Sequence, residues 1–247
     1  MGNDRRVAIV GAANQYSGPA IARELAKRGH DLVLGEAQPG LIEELEALGA
    51  RAVDVTDLNH MLEAPASQKL VDAALSNFGR LDAATTATGI IVTGRFLSSS
   101  IDDFRKAMQG CMEVPYHFLR AVVPVMVERG GGQVLVQTSA SGARATPGAP
   151  LYSAARAGAN HLVRNVADEV ARHGVQVNAV GTNFMDFPGF LAANGVKTPE
   201  DRARIEALVP MKRLGQIEEF AAFCCVFLDG TSGFTTGQFV PYAGGWA

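Results

Sequence analysis

RVAIVGAANQYSGPAIARELAKRGHDLVLG, residues 6–35, contains the strand, helix and strand that indicate the fold. Short apolar runs at 6–10 and 31–35 are typical of strands, and the segment 18–28 between them has helical periodicity. The alternation continues, with predicted strands at 50–55, 81–86, 133–139 and 175–180 and a long predicted helix over 151–173. Nearly unbroken apolar strands separated by helices predict an α/β fold with a doubly wound parallel sheet, covered by helices on both faces.

The composition favours one globular domain over residues 1–247. Of these 247 residues, 47% are hydrophobic and 19% are charged, which is enough to bury a large core, and no linker or repeat interrupts the chain. The formal net charge is -3 and no block of lysine or arginine occurs. We therefore expect small-molecule ligands rather than nucleic acid or an anionic membrane surface.

Cysteine usage and the terminal sequence bear on the compartment. The three cysteines and five histidines lack the spacing of disulfide frameworks or metal sites, so we expect no metal and a reducing environment. The N-terminal sequence has no apolar signal segment, and the longest apolar run, 221–228, is too short to span a bilayer. These features predict a cytoplasmic protein.

Three residues are spaced for acid–base chemistry at the sheet edge where ligands of this fold bind. Ser139 ends the fifth predicted strand, and Tyr152 and Arg156 follow on the long helix. Residues four apart share one face of a helix, so we expect the guanidinium beside the phenol. A permanent cation within about 4 to 6 Å favours the ionised form of a phenol. Tyr152 is therefore a candidate general base, with Ser139 as a hydrogen-bond donor to the same substrate oxygen.

The turn after the first strand, residues 11–18, occupies the place of a dinucleotide fingerprint, where bare backbone approaches a pyrophosphate. Gly11 and Gly18 are present, but larger residues including Tyr16 stand between them. We expect the Tyr16 ring to obstruct the path of a cofactor. In the alternative interpretation the loop turns outward, and a nucleotide site remains usable with Tyr16 on the surface.

Over nearly its whole length the sequence resembles the short-chain dehydrogenase/reductase superfamily. DVTD at 54–57, YSAARAG at 152–158 and TGQFVPYAGGW at 236–246 carry this resemblance. The ordinary dehydrogenases have Tyr-x3-Lys, Asn-Ala-Gly after the fourth strand and a helper asparagine on the next helix. Here Arg156 replaces the lysine, ATG at 87–89 replaces the second motif, and Cys111 aligns with the helper asparagine.

One branch of the superfamily, the halohydrin dehalogenases, is more similar at these positions. Its motif Ser-x12-Tyr-x3-Arg is matched in full by Ser139, Tyr152 and Arg156. A second motif, Thr-x4-[Phe/Tyr]-x-Gly, is matched by Tyr16 and by the glycine two residues later, while Gly11 replaces its threonine.

The resemblance implies a Rossmann-like fold, a homotetramer and no cofactor. It also implies conversion of vicinal haloalcohols to epoxides plus halide, and the reverse opening of epoxides by halide, azide, cyanide or nitrite. The halide site would take the place of the nicotinamide, formed by Tyr16, Thr182, Asn183 and Phe184, under a lid at about 184–212. The alternative is an ordinary lid loop in which Phe184 and Phe187 only cover the substrate.

Two other functions remain open from the sequence. An NAD(P)-dependent short-chain oxidoreductase would bind NAD or NADP through Gly11, Gly18, Glu36, Asp54 and Gly89. A binding or scaffolding subunit that kept the fold and lost its chemistry would explain the missing glycines and asparagine. It would leave the Ser, Tyr and Arg set unexplained.

Overall fold

The computed structural model describes residues 5–247, so residues 1–4 of the predicted domain lie outside the described residues. The strands are β1 Arg6–Val10, β2 His30–Gly35, β3 Ala52–Val55, β4 Ala83–Ala87, β5 Gly132–Ser139, β6 Val175–Thr182 and β7 Phe239–Tyr242. The helices are α1 Gly18–Lys27, α2 Leu41–Ala47, α3 Ala64–Phe78, α4 Ile101–Met108, α5 Val114–Arg129, α6 Pro150–Val170, α7 Pro188–Ala193, α8 Pro199–Glu206 and α9 Ile217–Val226.

The strands form one sheet in the order β3-β2-β1-β4-β5-β6-β7, and every pair is parallel. Successive side chains of β1 point to opposite faces, with Val7 and Ile9 in one apolar cluster and Ala8 and Val10 in another. Helices α3, α5 and α6 cover the first face, and α1, α2 and α9 cover the second. This architecture confirms the predicted doubly wound α/β fold.

The strand β7 was not predicted by the sequence patterns. Its four residues are all only partly buried and include Pro241, which a sheet edge tolerates because that edge needs no donor there. The predicted helix 151–173 also ends earlier, since α6 stops at Val170 and residues 171–173 form a 3₁₀ turn.

Within residues 5–247, the structure contains no helix with the length and apolarity to cross a membrane.

The parallel arrangement collects the functional residues at one edge. Because β1, β4, β5 and β6 all run the same way, their carboxyl ends meet there, as ligand-binding sites of such sheets require. The register of β5 and β6 places Ser139 directly beside Thr182. The start of α6, with Tyr152 and Arg156, packs onto the 3₁₀ turn Ala140–Ala143 that follows β5.

Candidate active site

Tyr152 and Arg156 lie one turn apart on α6, and both are buried. Their exposed fractions are 9% and 4%. The guanidinium carbon of Arg156 lies 4.9 Å from the centroid of the Tyr152 ring. The cation therefore stacks on the ring face rather than binding the phenol oxygen, an arrangement that the electron-rich face of an aromatic ring stabilises.

Arg156 has only neutral hydrogen-bond partners. Its Nη1 donates to Thr88 Oγ1 at 2.8 Å and its Nη2 donates to the Thr88 carbonyl, while its buried Nε has no partner among the described residues. No carboxylate within residues 5–247 is close enough to form an ion pair with it. Burial of an unpaired charge is costly, so this site favours a negative charge nearby.

Thr88 and Gly89, directly after β4, hold the guanidinium in place. Thr88 Oγ1 also donates to the Gln137 carbonyl at 2.8 Å, which fixes the hydroxyl that Arg156 binds. Gly89 has φ +114°, and a Cβ at this position would overlap the Arg156 guanidinium. The sequence analysis named Thr88 only as a departure from a dehydrogenase motif. A hydroxyl side chain at a strand end, with an arginine on a later helix, is the sequence signal that could have predicted the contact between Thr88 and Arg156.

Ser139 is held at the end of β5 by backbone groups. Its Oγ accepts a hydrogen bond from Ser141 N at 3.1 Å and donates a long one, 3.4 Å, to the Thr182 carbonyl. Ser153, next to Tyr152 in sequence, donates from its Oγ to the Ser141 carbonyl at 2.8 Å. Ser141 therefore connects the end of β5 to the first turns of α6. The hydrogen bonds of the described residues include none between the Ser139 and Tyr152 hydroxyls.

Tyr16 lies in the turn between β1 and α1 with φ 53°, in the left-handed region. Its hydroxyl donates to Thr182 Oγ1 at 2.8 Å, and its ring packs on Phe187 with centroids 4.8 Å apart. Burial raises the pKa of Tyr16 far above its ordinary value, so this phenol stays protonated and acts as a donor.

The contact between Tyr16 and Thr182 crosses the middle of the site. β4 and β5 lie between β1 and β6 in the sheet, so a side chain that joins the β1 turn to the end of β6 passes over both strand ends. The nicotinamide half of a dinucleotide would lie in the same region. In this conformation the residues do not fit a nicotinamide ring beside Tyr152, and Tyr16 would have to leave Thr182 to admit one.

The structure brings together only some of the residues that were predicted to bind halide. The structure brings Tyr16 and Thr182 together, whereas the Phe184 ring packs on Phe190 and Trp246, with centroids 5.8 and 5.5 Å away. Asn183 Oδ1 accepts a hydrogen bond from the Phe184 backbone N–H at 2.9 Å. The aromatic ring that contacts Tyr16 from the lid side is that of Phe187, which the sequence analysis did not assign to the halide site.

The residues assigned to a nucleotide also have internal partners. Glu36 Oε1 accepts a hydrogen bond from Leu58 N at 3.0 Å, and Asp54 Oδ1 accepts one from Ala37 N at 2.8 Å. A Cβ at Gly18 would overlap the Ala12 carbonyl. These residues lie together at the ends of β1, β2 and β3, where the adenosine half of a dinucleotide would bind, while Gly89 belongs to the Arg156 contact.

Cys111 is the residue that the sequence analysis aligned with the helper asparagine. It lies in a single π-helical turn, Gln109–Glu113, between α4 and α5. Its Sγ contacts the Ile90 carbonyl at 3.7 Å, and burial raises the pKa of the thiol. The thiol at this position is therefore neutral at pH 7.

The segment after β6, residues 184–214 with α7 and α8, forms a helical cover in the region predicted as a lid. Phe184 packs there with Ile205, Val209 and Leu214, all at most 9% exposed. Arg202 of α8 donates two hydrogen bonds to the Asp186 carboxylate, at 3.1 and 2.6 Å. These bonds with Arg202 lower the pKa of Asp186. The cover is therefore fastened to the end of β6 by both apolar packing and an ion pair.

Comparisons with known proteins match the chain along its length. The family profile described as Enoyl-(Acyl carrier protein) reductase matches residues 11–247. A 3-oxoacyl-[acyl-carrier-protein] reductase of Synechocystis sp. is 28% identical over 97% of this chain and 96% of its own. An acetoacetyl-CoA reductase of Cupriavidus necator is 28% identical over 98% of both chains. A solved structure titled "Dehalogenation enzyme" is 27% identical, has a TM-score of 0.83 and covers 100% of both chains.

These relatives correct one expectation. The sequence analysis expected no cofactor, but the curated relatives are reductases, and a reductase needs a hydride donor. The finding points to a nicotinamide nucleotide, so the expectation of none is wrong. Since the profile spans almost the entire chain, the protein is an enzyme of the short-chain dehydrogenase/reductase superfamily, in the family that this profile defines.

Proposed function

We propose that the protein interconverts vicinal haloalcohols and epoxides, with Tyr152 as the general base and acid. The observation that carries this proposal is the buried guanidinium of Arg156, stacked on the Tyr152 ring with no carboxylate partner among the described residues. The likeness to a solved dehalogenation enzyme at 27% identity supports it. The family relationship establishes the fold and shows that the protein is an enzyme. The haloalcohol chemistry goes beyond that relationship and is the proposed part.

The charge balance around Arg156 supports a basic phenol. Arginine keeps its charge at every working pH, and its partners here, the Thr88 hydroxyl and carbonyl, are neutral. A phenolate at Tyr152 would supply the negative charge that the buried cation lacks. A lysine could lose its proton on burial, whereas the guanidinium cannot.

The reaction transfers one proton and one electron pair. The Tyr152 phenolate takes the hydroxyl proton of the haloalcohol. The Ser139 hydroxyl turns from its long bond with the Thr182 carbonyl and donates its hydrogen bond to the same substrate oxygen. The alkoxide attacks the adjacent carbon, a C–O bond forms, and the C–halogen bond breaks with its electron pair leaving on the halide. In the reverse direction the Tyr152 phenol protonates an epoxide oxygen while an anion attacks carbon.

Thr182, Asn183 and Tyr16 are proposed to bind the halide. Thr182 Oγ1 accepts a hydrogen bond from the Tyr16 hydroxyl, so its own hydrogen remains available to donate. Asn183 uses its Oδ1 on the Phe184 N–H, which leaves the Nδ2 hydrogens for a ligand. The rings of Tyr16 and Phe187 add positive ring edges, which suit a weakly hydrated anion. Phe184 would serve only through its packing in the lid.

The test uses the purified protein and a vicinal bromoalcohol. Bromide and proton release are measured together, with and without added NADH or NADPH, for the wild type and for Tyr152→Phe. Release in the wild type that is lost in Tyr152→Phe supports the proposal. Absence of bromide release from a panel of small bromoalcohols at pH 6 to 9 would refute it.

A second candidate function is NAD(P)-dependent reduction of a carbonyl group, and the curated relatives favour it. A 3-oxoacyl-[acyl-carrier-protein] reductase and an acetoacetyl-CoA reductase suggest a 3-oxoacyl thioester as substrate. Glu36 and Asp54 would face the adenosine half of the nucleotide, and Tyr16 would have to move away from Thr182. Oxidation of NADPH, followed at 340 nm with acetoacetyl-CoA, distinguishes this function from halide release.

We also propose a homotetramer, in line with the superfamily resemblance. Helices α5 and α6 leave a surface groove lined by apolar side chains, of which Leu162 and Val166 are partly exposed and Pro124 is exposed. Pairing of this face with a second copy would bury these three side chains. Sedimentation equilibrium tests it: a tetramer is expected, and a monomer at micromolar concentration would contradict it.

A further inference from the structure

Three polar side chains form a buried hydrogen-bonded chain beneath the candidate site. Ser17 Oγ donates to Gln137 Oε1 at 2.5 Å, Gln137 Nε2 donates to Thr85 Oγ1 at 3.1 Å, and Thr85 Oγ1 donates to the Leu135 carbonyl at 2.8 Å. Ser17 and Thr85 are fully buried, and Gln137 is 3% exposed. The chain joins the turn after β1 to β4 and β5.

Polar groups at this depth need a reason, since apolar side chains would fill the same space without requiring hydrogen bonds. Gln137 lies in a central parallel strand whose neighbours Leu135 and Val136 are fully buried. Its amide has both a donor and an acceptor in use, so its side chain is fixed in one orientation. The partner it reaches through Oε1, Ser17, is the residue next to Tyr16.

The turn that Ser17 anchors is one that needs external support. Tyr16 has φ 53°, a conformation that non-glycine residues adopt only when their surroundings impose it. Its hydroxyl must also cover the distance to Thr182 on β6. A rigid anchor at Ser17 keeps the Tyr16 ring aimed across the site.

Gln137 is in addition connected to the other side of the site through its backbone. Its carbonyl accepts hydrogen bonds from Thr88 N at 3.2 Å and Thr88 Oγ1 at 2.8 Å, and Thr88 binds Arg156. One residue of β5 therefore supports both the Tyr16 turn and the threonine that holds the guanidinium.

We propose that Gln137 is a positioning residue, which acts through Ser17 to keep Tyr16 on Thr182 at a fixed place opposite Tyr152. Its kinetic consequence rests on the proposed function, because Tyr16 there borders the halide site. Its structural consequence does not, since the position of Tyr16 can be observed without any reaction.

The test replaces Gln137 by leucine, which has a similar volume and no hydrogen-bonding groups. Ser17→Ala removes the other partner of the same bond and is the smaller change should Gln137→Leu fail to fold. Gln133→Leu is the matched control, because Gln133 lies on the same strand but bonds to Gln176 and Arg6 at the opposite end of the sheet.

The first readout is ¹⁹F NMR of protein labelled with 3-fluorotyrosine. The sequence has four tyrosines, and the Tyr16 signal is assigned from its loss in Tyr16→Phe. We expect the Tyr16 signal to shift and broaden in Gln137→Leu and Ser17→Ala and to stay unchanged in Gln133→Leu. The double variant should match Gln137→Leu alone, since both substitutions remove one shared bond. An unmoved Tyr16 signal in both single variants overturns the proposal.

The second readout is the bromide inhibition constant and the KM of the bromoalcohol reaction. Both constants are expected to rise about fivefold to tenfold in Gln137→Leu, because that change corresponds to the net contribution of one buried hydrogen bond. We expect kcat to change less than about twofold. A fall confined to kcat would contradict a role through Tyr16. A wild type without bromide release, but with the ¹⁹F changes above, would refute the proposed function and leave the positioning role standing.

Discussion

The two halves of the carboxyl edge of the sheet differ in the partners that their charged side chains have. At the ends of β2 and β3, the Glu36 carboxylate accepts a hydrogen bond from Leu58 N in the loop after β3, and the Asp54 carboxylate accepts one from Ala37 N in the loop after β2. At the ends of β4, β5 and β6, Arg156 is 4% exposed and no described carboxylate pairs with it.

This difference separates the half of the edge that a nucleotide's adenosine would occupy from the half that contains the candidate catalytic residues. The first half has acidic side chains at its strand ends, while the second contains a buried cation and is crossed by Tyr16. The fold therefore does not determine the chemistry, which depends on a few side chains at the strand ends.

The sharpest challenge to the comparison is Tyr152→Phe. Removal of the phenol oxygen leaves no proton carrier beside Arg156, so we expect bromide release to fall about 10²-fold to 10⁴-fold. Tyr116→Phe is the control, because Tyr116 is 49% exposed on the face of α5. Initial rates at saturating bromoalcohol measure the effect, and equal losses in both variants would remove Tyr152 from the mechanism.

Arg156→Lys tests the fixed charge itself. Lysine keeps a cation but lacks the planar fork that binds both Thr88 oxygens, so we expect kcat/KM near pH 7 to fall about 10-fold to 100-fold. Arg164→Lys, at an exposed position of the same helix, should leave kcat/KM unchanged. Initial rates at low bromoalcohol concentration measure both variants, and an unchanged kcat/KM in Arg156→Lys would show that the guanidinium has no part in catalysis.

Tyr16→Ala probes the boundary between the two halves. Removal of the ring clears the ends of β4 and β5, so we expect NADH or NADPH to bind about tenfold more tightly than to the wild type. A fluorescence titration of the reduced nucleotide measures this, with Tyr116→Ala as the control. Equally tight binding by the wild type would mean that Tyr16 does not obstruct the nicotinamide.

The smallest effect is expected at the cover. Asp186→Asn weakens the two hydrogen bonds from Arg202, and since both side chains are partly exposed we expect a loss of about 0.5 to 1 kcal/mol. Because Arg202 lowers the pKa of Asp186, the advantage of the wild type is complete above about pH 4 and disappears as the pH falls through the lowered value.

Urea unfolding at pH 7 and pH 3 measures that difference. Asp102→Asn, which affects an ion pair on the exposed side of α4, is the control. A difference that persists undiminished at pH 3 would show that the Asp186 carboxylate is not its source.

The fold and the contact between Tyr152 and Arg156 could be predicted from the sequence because each depends on short-range regularities. The period of the apolar runs predicts the strands and helices, and the four-residue spacing places Tyr152 and Arg156 on one helix face. The direction in which the guanidinium stacks depends on Thr88, which is 68 residues away. Spacing on one helix contains no information about such a partner.

Residues brought together by distant elements account for the other differences. Phe187 reaches Tyr16, and Phe184 turns toward Trp246, because the cover folds back over the end of β6. Ser17, Gln137 and Thr85 come from three separate elements and meet only in the sheet. The expectation that the chain has no cofactor was wrong because motif departures within one site were given more weight than the relationship of the whole chain.

The close approach of Arg156 to Gly89 has a consequence for the order in which this site can be remodelled. A methyl group at residue 89 has no space while the guanidinium keeps its present position, so Gly89→Ala would have to displace the end of the Arg156 side chain. A shorter or more flexible side chain at residue 156 would relieve the overlap first. Arg156 can therefore be replaced while residue 89 stays glycine, whereas a side chain at residue 89 first requires the guanidinium to move.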